Sequence, residues 1–151
     1  MKSFLVKGKK PIIKWGQLPN ETYFEGVVPE GYSLAVCPSG EKGYVIIDVD
    51  CHGNKNGFDN IPKKLISELD NTLNYPTKNN GKHYWVRYTG NKPLGNKTSG
   101  LGIDLRTNKG YVVWNYQKDV RECLHLINDS SLELNQWLEK LFSYKYEKDE
   151  N

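Results

Sequence analysis

The chain has 151 residues, enough for one domain with its own core; 37% of them are hydrophobic and 26% charged. That balance excludes a disordered or fibrous class, and no apolar run approaches the roughly 20 residues of a membrane span. A net charge of +3 permits a nucleic-acid or nucleotide partner without demanding one, and the aromatic count, with ten Tyr and four Trp, points to a partly aromatic core. Cys37, Cys51 and Cys123 are an odd, scattered set, which argues for reduced thiols rather than a disulfide framework. The N-terminal stretch has no signal-peptide h-region. A cytoplasmic protein with no membrane contact is the expectation.

Residues 1–10 are rich in lysine and predict a loose arm or a short edge strand. Pro11 to Trp15 is a short extended segment, and residues 16–32 read as loop with one helical turn at most. Ser33 to Cys37 predicts a strand, Pro38-Ser39-Gly40 begins a turn, and Gly43 to Asp50 predicts a second strand paired with the first as a hairpin. Cys51 to Asn60 is a Gly/Asn-rich loop. Ile61 to Leu73 predicts a helix, capped by Asp59 or Asn60, with Pro62 in its first turn and Leu65, Ile66, Leu69 and Leu73 as its apolar stripe. His83 to Tyr88 predicts a strand with His83, Trp85 and Arg87 on one face and Tyr84, Val86 and Tyr88 on the other. Asn91 to Gly100 reads as a flexible loop.

Leu101 to Arg106 predicts a strand with Gly102, Asp104 and Arg106 on a common face. A turn at Asn108-Lys109-Gly110 returns Tyr111 to Trp114 as its hairpin partner. Two helices follow. One carries Val120, Cys123, Leu124 and Ile127 at helical spacing. The other opens with Ser130 and Glu133 in capping-box spacing and buries Leu134, Trp137, Leu138 and Leu141. The tail from Lys145 is charged and expected to fray.

The stretch Tyr44-Val45-Ile46-Ile47-Asp48-Val49-Asp50 organises the chemistry. Period-2 alternation puts Asp48 and Asp50 on one face at the strand end, where two carboxylates repel each other unless a cation lies between them. Asp104 supplies a third acid from a later strand. Three such acids can hold two divalent ions, the arrangement used for in-line phosphoryl transfer. His83 and an arginine beside them would suit triphosphate oxygens. Taken singly, each element has a plainer explanation: a solvated turn entry for Asp48 and Asp50, the first residue of a strand for His83, and an outward Asp104 paired with Arg106.

Two other metal readings are weaker. Asp48-x-Asp50-x-His52-Gly53 partly matches a calcium-binding EF-hand loop, but His52, Lys55 and Asp59 stand at positions where other residues are usual. The preceding segment is also a strand rather than a helix. Cys51 and His52 are adjacent with no Cys-x-x-Cys partner, which disfavours zinc. His125, flanked by leucines in a predicted helix, reads as a surface or boundary residue.

In combination and order, these motifs resemble the primase-polymerase domain of the archaeo-eukaryotic primase superfamily. The likeness is closest to the bifunctional primase/polymerase N-terminal domains of phages, plasmids and mobile elements. The matching stretches are Ile46-Ile47-Asp48-Val49-Asp50, Gly81-Lys82-His83-Tyr84-Trp85, Gly102-Ile103-Asp104-Leu105-Arg106, and Lys109 to Val113. Outside the catalytic set, Pro11 to Trp15 and Tyr75-Pro76-Thr77 resemble further family elements. The likeness is strongest over residues 8–116, and Asn80-Gly81-Lys82 stands where the family often has Gly-Gly before its histidine.

The resemblance implies a single domain over 1–151, with C-terminal helices at 117–144 and a frayed end at 145–151. Its fold would be α+β: a mostly antiparallel, RRM-like sheet with acids and histidine on one face and helices on the other. The implied activity is DNA primase/polymerase nucleotidyl transfer, with Asp48, Asp50 and Asp104 catalytic and holding two Mg²⁺ or Mn²⁺ ions. His83 would contact the nucleotide triphosphate, with Lys82, Arg87 and Arg106 as further phosphate contacts. Implied partners are nucleoside triphosphates, a single-stranded or primed DNA template, and a helicase or accessory priming domain in a separate chain. A non-catalytic replication protein that keeps the fold to bind nucleic acid or a partner is the alternative, and a stand-alone nucleotide-binding or nucleotide-processing protein is a third.

Overall fold

The computed structural model describes residues 1–38 and 43–143. The turn expected after Pro38 and the frayed tail from Lys145 therefore lie outside the described residues. In chain order the strands are β1 (Lys2–Lys7), β2 (Lys10–Pro11), β3 (Tyr32–Cys37), β4 (Tyr44–Val49), β5 (Cys51–His52), β6 (Lys55–Asn56), β7 (Asn74–Pro76), β8 (Lys82–Arg87), β9 (Lys97–Thr98), β10 (Ile103–Arg106), β11 (Val112–Val113) and β12 (Asn128–Asp129). The α-helices are α1 (Lys63–Asp70) and α2 (Leu132–Phe142). The architecture is α+β with mostly antiparallel sheets.

Two sheets carry the fold where one was expected. The first runs β11-β3-β1-β2, and the second runs β12-β8-β4-β10-β9 with β7 on the outer side of β8. Strand β4 is central in the second sheet, antiparallel to both β8 and β10. Its odd-numbered residues Val45, Ile47 and Val49 share a core with Tyr84, Val86, Ile103 and Leu105 and with Leu65 and Leu69 of α1 and Leu134, Leu138 and Phe142 of α2. The helices thus cover one face, as alternation predicts. The other face is not left open along its length. Ile46 and Trp85 share a second core with Val36 and Val112 of the first sheet and with Leu73, Tyr75 and Trp114.

Several local expectations are corrected. Strands β3 and β4 do not form a hairpin, because β3 pairs with β1 and β11 while β4 belongs to the other sheet. Strands β10 and β11 likewise separate: after the Asn108–Gly110 turn the chain crosses to β3. Residues 2–7 are no loose arm; Phe4 and Val6 are buried with Ala35 and Cys37. The Gly/Asn-rich loop after Asp50 contains the small β5-β6 hairpin, and the loop before Gly100 contains β9. The helix expected around Val120 to Ile127 is two successive 3-10 turns, Val120–Glu122 and Leu124–Leu126. A three-residue repeat serves both geometries, so spacing alone does not separate them.

Helix α1 stops at Asp70, short of Leu73, because Thr72 and Leu73 turn away to bond β8 and the 3-10 segment: Thr72 Oγ1 donates to the Trp85 carbonyl at 2.6 Å and Leu73 N–H to the Leu126 carbonyl at 2.9 Å. The N-cap of α2 is Ser131 rather than Ser130; its Oγ accepts from Leu134 N–H at 3.1 Å. Glu68 of α1 takes the capping-box role from outside, accepting from Ser131 N–H at 2.9 Å. Ser130 instead bonds the buried Asn135 side chain. Trp137, expected deep in the core, is only partly buried against it.

Candidate active site

Register builds the site. Asp48 of β4 stands directly opposite His83 of β8 on one side and Asp104 of β10 on the other. Directly opposed residues share a face, so the three side chains project together. Asp50 lies one residue past β4 in the same phase. Its N–H donates to the Gly102 carbonyl and its carbonyl accepts from Gly57 N–H, both at 2.8 Å. Oxygen atoms of Asp48, Asp50 and Asp104 all lie within 4.8 Å of one another, and this is the sole group of three metal-ligating residues found among the described residues.

Two glycines make the position of Asp50 attainable. A Cβ on Gly57 would come 2.2 Å from the Gly102 carbonyl oxygen and 2.9 Å from a Val49 methyl carbon. Gly102 itself adopts φ +77°, the left-handed region that disfavours any side chain. The loop after β6 can therefore press against the start of β10 and grip Asp50 by its backbone.

The electrostatics follow from crowding. Burial, reinforced by the Asp48 carboxylate, pushes the Asp50 carboxyl above its ordinary range. Burial likewise raises Asp104; Arg106 opposes the rise, while Asp48 and Asp50 add to it. Arg106, 3.5 Å from Asp104 Oδ2, relieves part of the repulsion, and His83 Nε2 lies 3.4 Å from Asp48 Oδ1. His83 is buried, held edge-on by the Tyr75 ring at a centroid distance of 5.2 Å, and its Nδ1 has no hydrogen-bond partner. An all-oxygen set of three carboxylates suits a hard cation such as Mg²⁺ or Mn²⁺, so the residues present fit the implied ions.

These shifts have a testable sign. An acid whose carboxyl is raised by folding stabilises the folded state below its ordinary range, and that contribution is lost as pH rises through the raised value. Asn at position 50 mimics the protonated acid at all pH values. In the presence of a chelator, Asp50→Asn should therefore melt above the wild type, with a gap that widens as pH climbs from the ordinary carboxylate range toward neutrality. A gap that is flat with pH, or that narrows, in differential scanning calorimetry contradicts this electrostatic picture.

The other predicted residues fall in different places. Arg106 lines the same cleft as Asp48, Asp50 and His83. Arg87 shares the His83 face but sits at the far end of β8, bound to both Asp129 oxygens at 2.6 and 2.8 Å. Lys82 alternates to the helix side of the sheet, 3.9 Å from Asp70 and over the Tyr84 ring. The structure brings neither of these two to the acids. His52 and His125 are exposed, and the β5-β6 hairpin replaces any calcium-loop geometry.

The cleft, of about 820 Å³, extends from the acids to the first sheet. Trp15, Thr77, Lys78, Asn79, Lys109 and Tyr111 are among its lining residues. Trp15, Thr77 and Lys109 were legible only as parts of family-like motifs without a role. Asn79 carried no signal, because a polar turn residue looks the same whether it faces solvent or a cleft.

Comparison with curated proteins finds no match. A family model described as bifunctional DNA primase/polymerase, N-terminal, matches residues 11–135, a span that holds β4, β8 and β10 with all three acids and His83. The chain therefore belongs to the Prim-Pol family of bifunctional DNA primase/polymerase N-terminal domains.

Proposed function

We propose that this chain is the catalytic core of a metal-dependent, template-directed nucleotidyl transferase that draws on nucleoside triphosphates to start or extend a DNA strand. The observation that carries this reading is the convergence of Asp48, Asp50 and Asp104, whose oxygens lie within 4.8 Å of one another beside a buried histidine. A sheet face meant only to bind a polyanion gains nothing from three clustered carboxylates.

In the proposed reaction a 3′-hydroxyl gives up its proton to solvent, its oxygen bonds to the α-phosphorus, the bond from that phosphorus to the bridging oxygen breaks, and pyrophosphate leaves. Mg²⁺ or Mn²⁺ bound here would supply Lewis-acid stabilisation of phosphoryl charge and a lowered hydroxyl pKa. Asp48, Asp50 and Asp104 would hold the ions, each fixed by its strand or by the glycine contact. His83, fixed by Asp48 and Tyr75 beside the acids, is the first phosphate contact. Arg106, held by Asp104 in the same cleft, is the second phosphate contact. Arg87 and Lys82 are committed to Asp129 and Asp70 and serve the fold.

The test is incorporation on a primed single-stranded template with deoxynucleoside or ribonucleoside triphosphates, first with Mg²⁺ and then with Mn²⁺. The expected result is incorporation with metal, none with chelator, and a His83→Ala variant whose nucleotide binding weakens more than its Mn²⁺ binding. A wild type that incorporates nothing with either metal and binds no nucleotide with Mn²⁺ would replace this reading with that of a non-catalytic binding protein.

A further inference from the structure

The part of the cleft lined by the first sheet and its hairpin has a different character. Trp15 and Tyr111 line it together with Lys9, Lys109 and the glycines Gly8 and Gly110. The two aromatics stand on a buried support: Trp15 stacks on Phe4 at 5.4 Å between centroids and 12° between planes, and Tyr111 meets both rings edge-on. Tyr111 is further tied to the β1-β2 hairpin, donating its hydroxyl to the Lys9 carbonyl at 3.2 Å. Both rings remain partly exposed while Phe4 beneath them is buried. This is a rigid aromatic wall facing a cleft, not a closed core.

The charges on the hairpin itself have one sign. Lys7, Lys9, Lys10 and Lys14 are all exposed on or just after the hairpin, as is Lys109 across the cleft. Lys7 and Lys10 stand directly opposite each other in the β1-β2 register. Like charges directly opposed across an antiparallel pair destabilise it. Among the described residues none of these five lysines has a carboxylate within ion-pair distance. Such a hairpin is better stabilised with a polyanion on it than without one. Partly exposed aromatics on a firm base, bordered by lysines that no carboxylate neutralises, are the two elements that bind single-stranded nucleic acid without sequence preference: rings stack bases and lysines follow phosphates.

We propose that the Trp15–Tyr111 wall and the β1-β2 lysines form the track for a single-stranded polynucleotide, which enters the cleft from the hairpin side with one base against Trp15. This rests on the nucleotidyl-transfer reading in one respect: a nucleotide with its phosphates at the acids would extend its base along the cleft toward this wall, where a template base must meet it. The placement also separates like from unlike charge, since the strand's phosphates lie on lysines while the carboxylates stay with the second sheet.

The test uses the full chain and a fluorescently labelled oligothymidylate, with anisotropy read over a series of salt concentrations. Trp15→Ala should lose about tenfold or more in affinity, the range expected for one lost base stack. The double variant Lys9→Gln/Lys109→Gln should weaken binding and flatten the dependence of log affinity on log salt by about 0.7 for each phosphate contact removed. Both lysines are exposed, so this variant decides the matter even if Trp15→Ala fails to fold. Oligothymidylate affinity and salt slope unchanged in the folded variants overturn the proposal. So does a Trp15→Ala variant that loses binding of nucleoside triphosphate with Mn²⁺ but keeps the oligonucleotide, which would assign the wall to the incoming base. Failure of the two readings is distinguishable. Incorporation by the wild type with unaltered template binding by the variants sinks the track alone. Hairpin-dependent strand binding without incorporation sinks the catalytic reading alone.

Discussion

Asp48→Asn and Asp50→Asn should each lower nucleotide incorporation by at least about a hundredfold while leaving the chain folded. Each change removes one negative charge at nearly constant volume. The neighbouring acids, which share the site within 4.8 Å, then hold a divalent ion with less charge, and stabilisation of the developing phosphoryl charge falls with it. Asp48 should be the more sensitive of the two. It lies between His83 and Asp104, so its loss also removes the carboxylate that holds the histidine ring. The readout is primer extension with each metal beside Mn²⁺ titration by calorimetry. Full activity in either variant, with Mn²⁺ affinity unchanged, removes that residue from the catalytic set.

The second large effect is on stability. Trp85→Ala should destabilise the fold by about 3–5 kcal/mol in urea unfolding. Trp85 of β8 is fully buried in the core it shares with Ile46 and with Val36 and Val112 of the first sheet, its indole N–H donates to the Tyr75 hydroxyl at 3.0 Å, and its ring meets Trp114 edge-on at 5.7 Å. Truncation leaves a large void in the core that joins the two sheets, and a Tyr75 hydroxyl without its donor. Trp137→Ala is the internal control, because Trp137 is only partly covered and should cost clearly less. A Trp85→Ala cost below about 1 kcal/mol, or below that of Trp137→Ala, would mean that the two sheets do not depend on this core.

The face of each site residue was legible in the sequence because a strand has a period of two. Asp48, Asp50, His83 and Asp104 needed only the assignment of three strands, and the apolar runs beside them supplied it. Parity says nothing about distance along a strand. Arg87 has the parity of His83 yet binds Asp129 at the other end of β8. Lys82 has the parity of Tyr84, which sends it to the helix side.

Pairing was the least legible level. Both expected hairpins came from sound turn signals, after Cys37 and at Asn108-Lys109-Gly110. A turn residue reverses the chain without saying which sheet receives the next strand. Here β3 and β4, and likewise β10 and β11, fall in different sheets, a choice made by cores such as Val36–Ile46–Trp85–Val112 that no local window contains. The N-terminal strand was legible only as a loose arm or a short edge strand, not as an inner strand, for a related reason. Lysines at positions 2 and 7 hid the alternation of Phe4 and Val6, whose burial depends on β3 and on Trp15.

The central position of β4 has a consequence for how the chain acquires its shape. Both of its partners, β8 and β10, follow it in the sequence, and among the described residues no earlier strand pairs with it. During synthesis Val45, Ile46, Ile47 and Val49 emerge as an apolar strand with two open edges and stay so until residues 82–87 arrive, which is the condition under which nascent strands pair with the wrong neighbour. Asp48 and Asp50 punctuate this run, as charged gatekeepers do in aggregation-prone segments. The same carboxylates that strain the finished site therefore protect the unfinished chain. Neutralising them sets a more stable native state against a stickier nascent one.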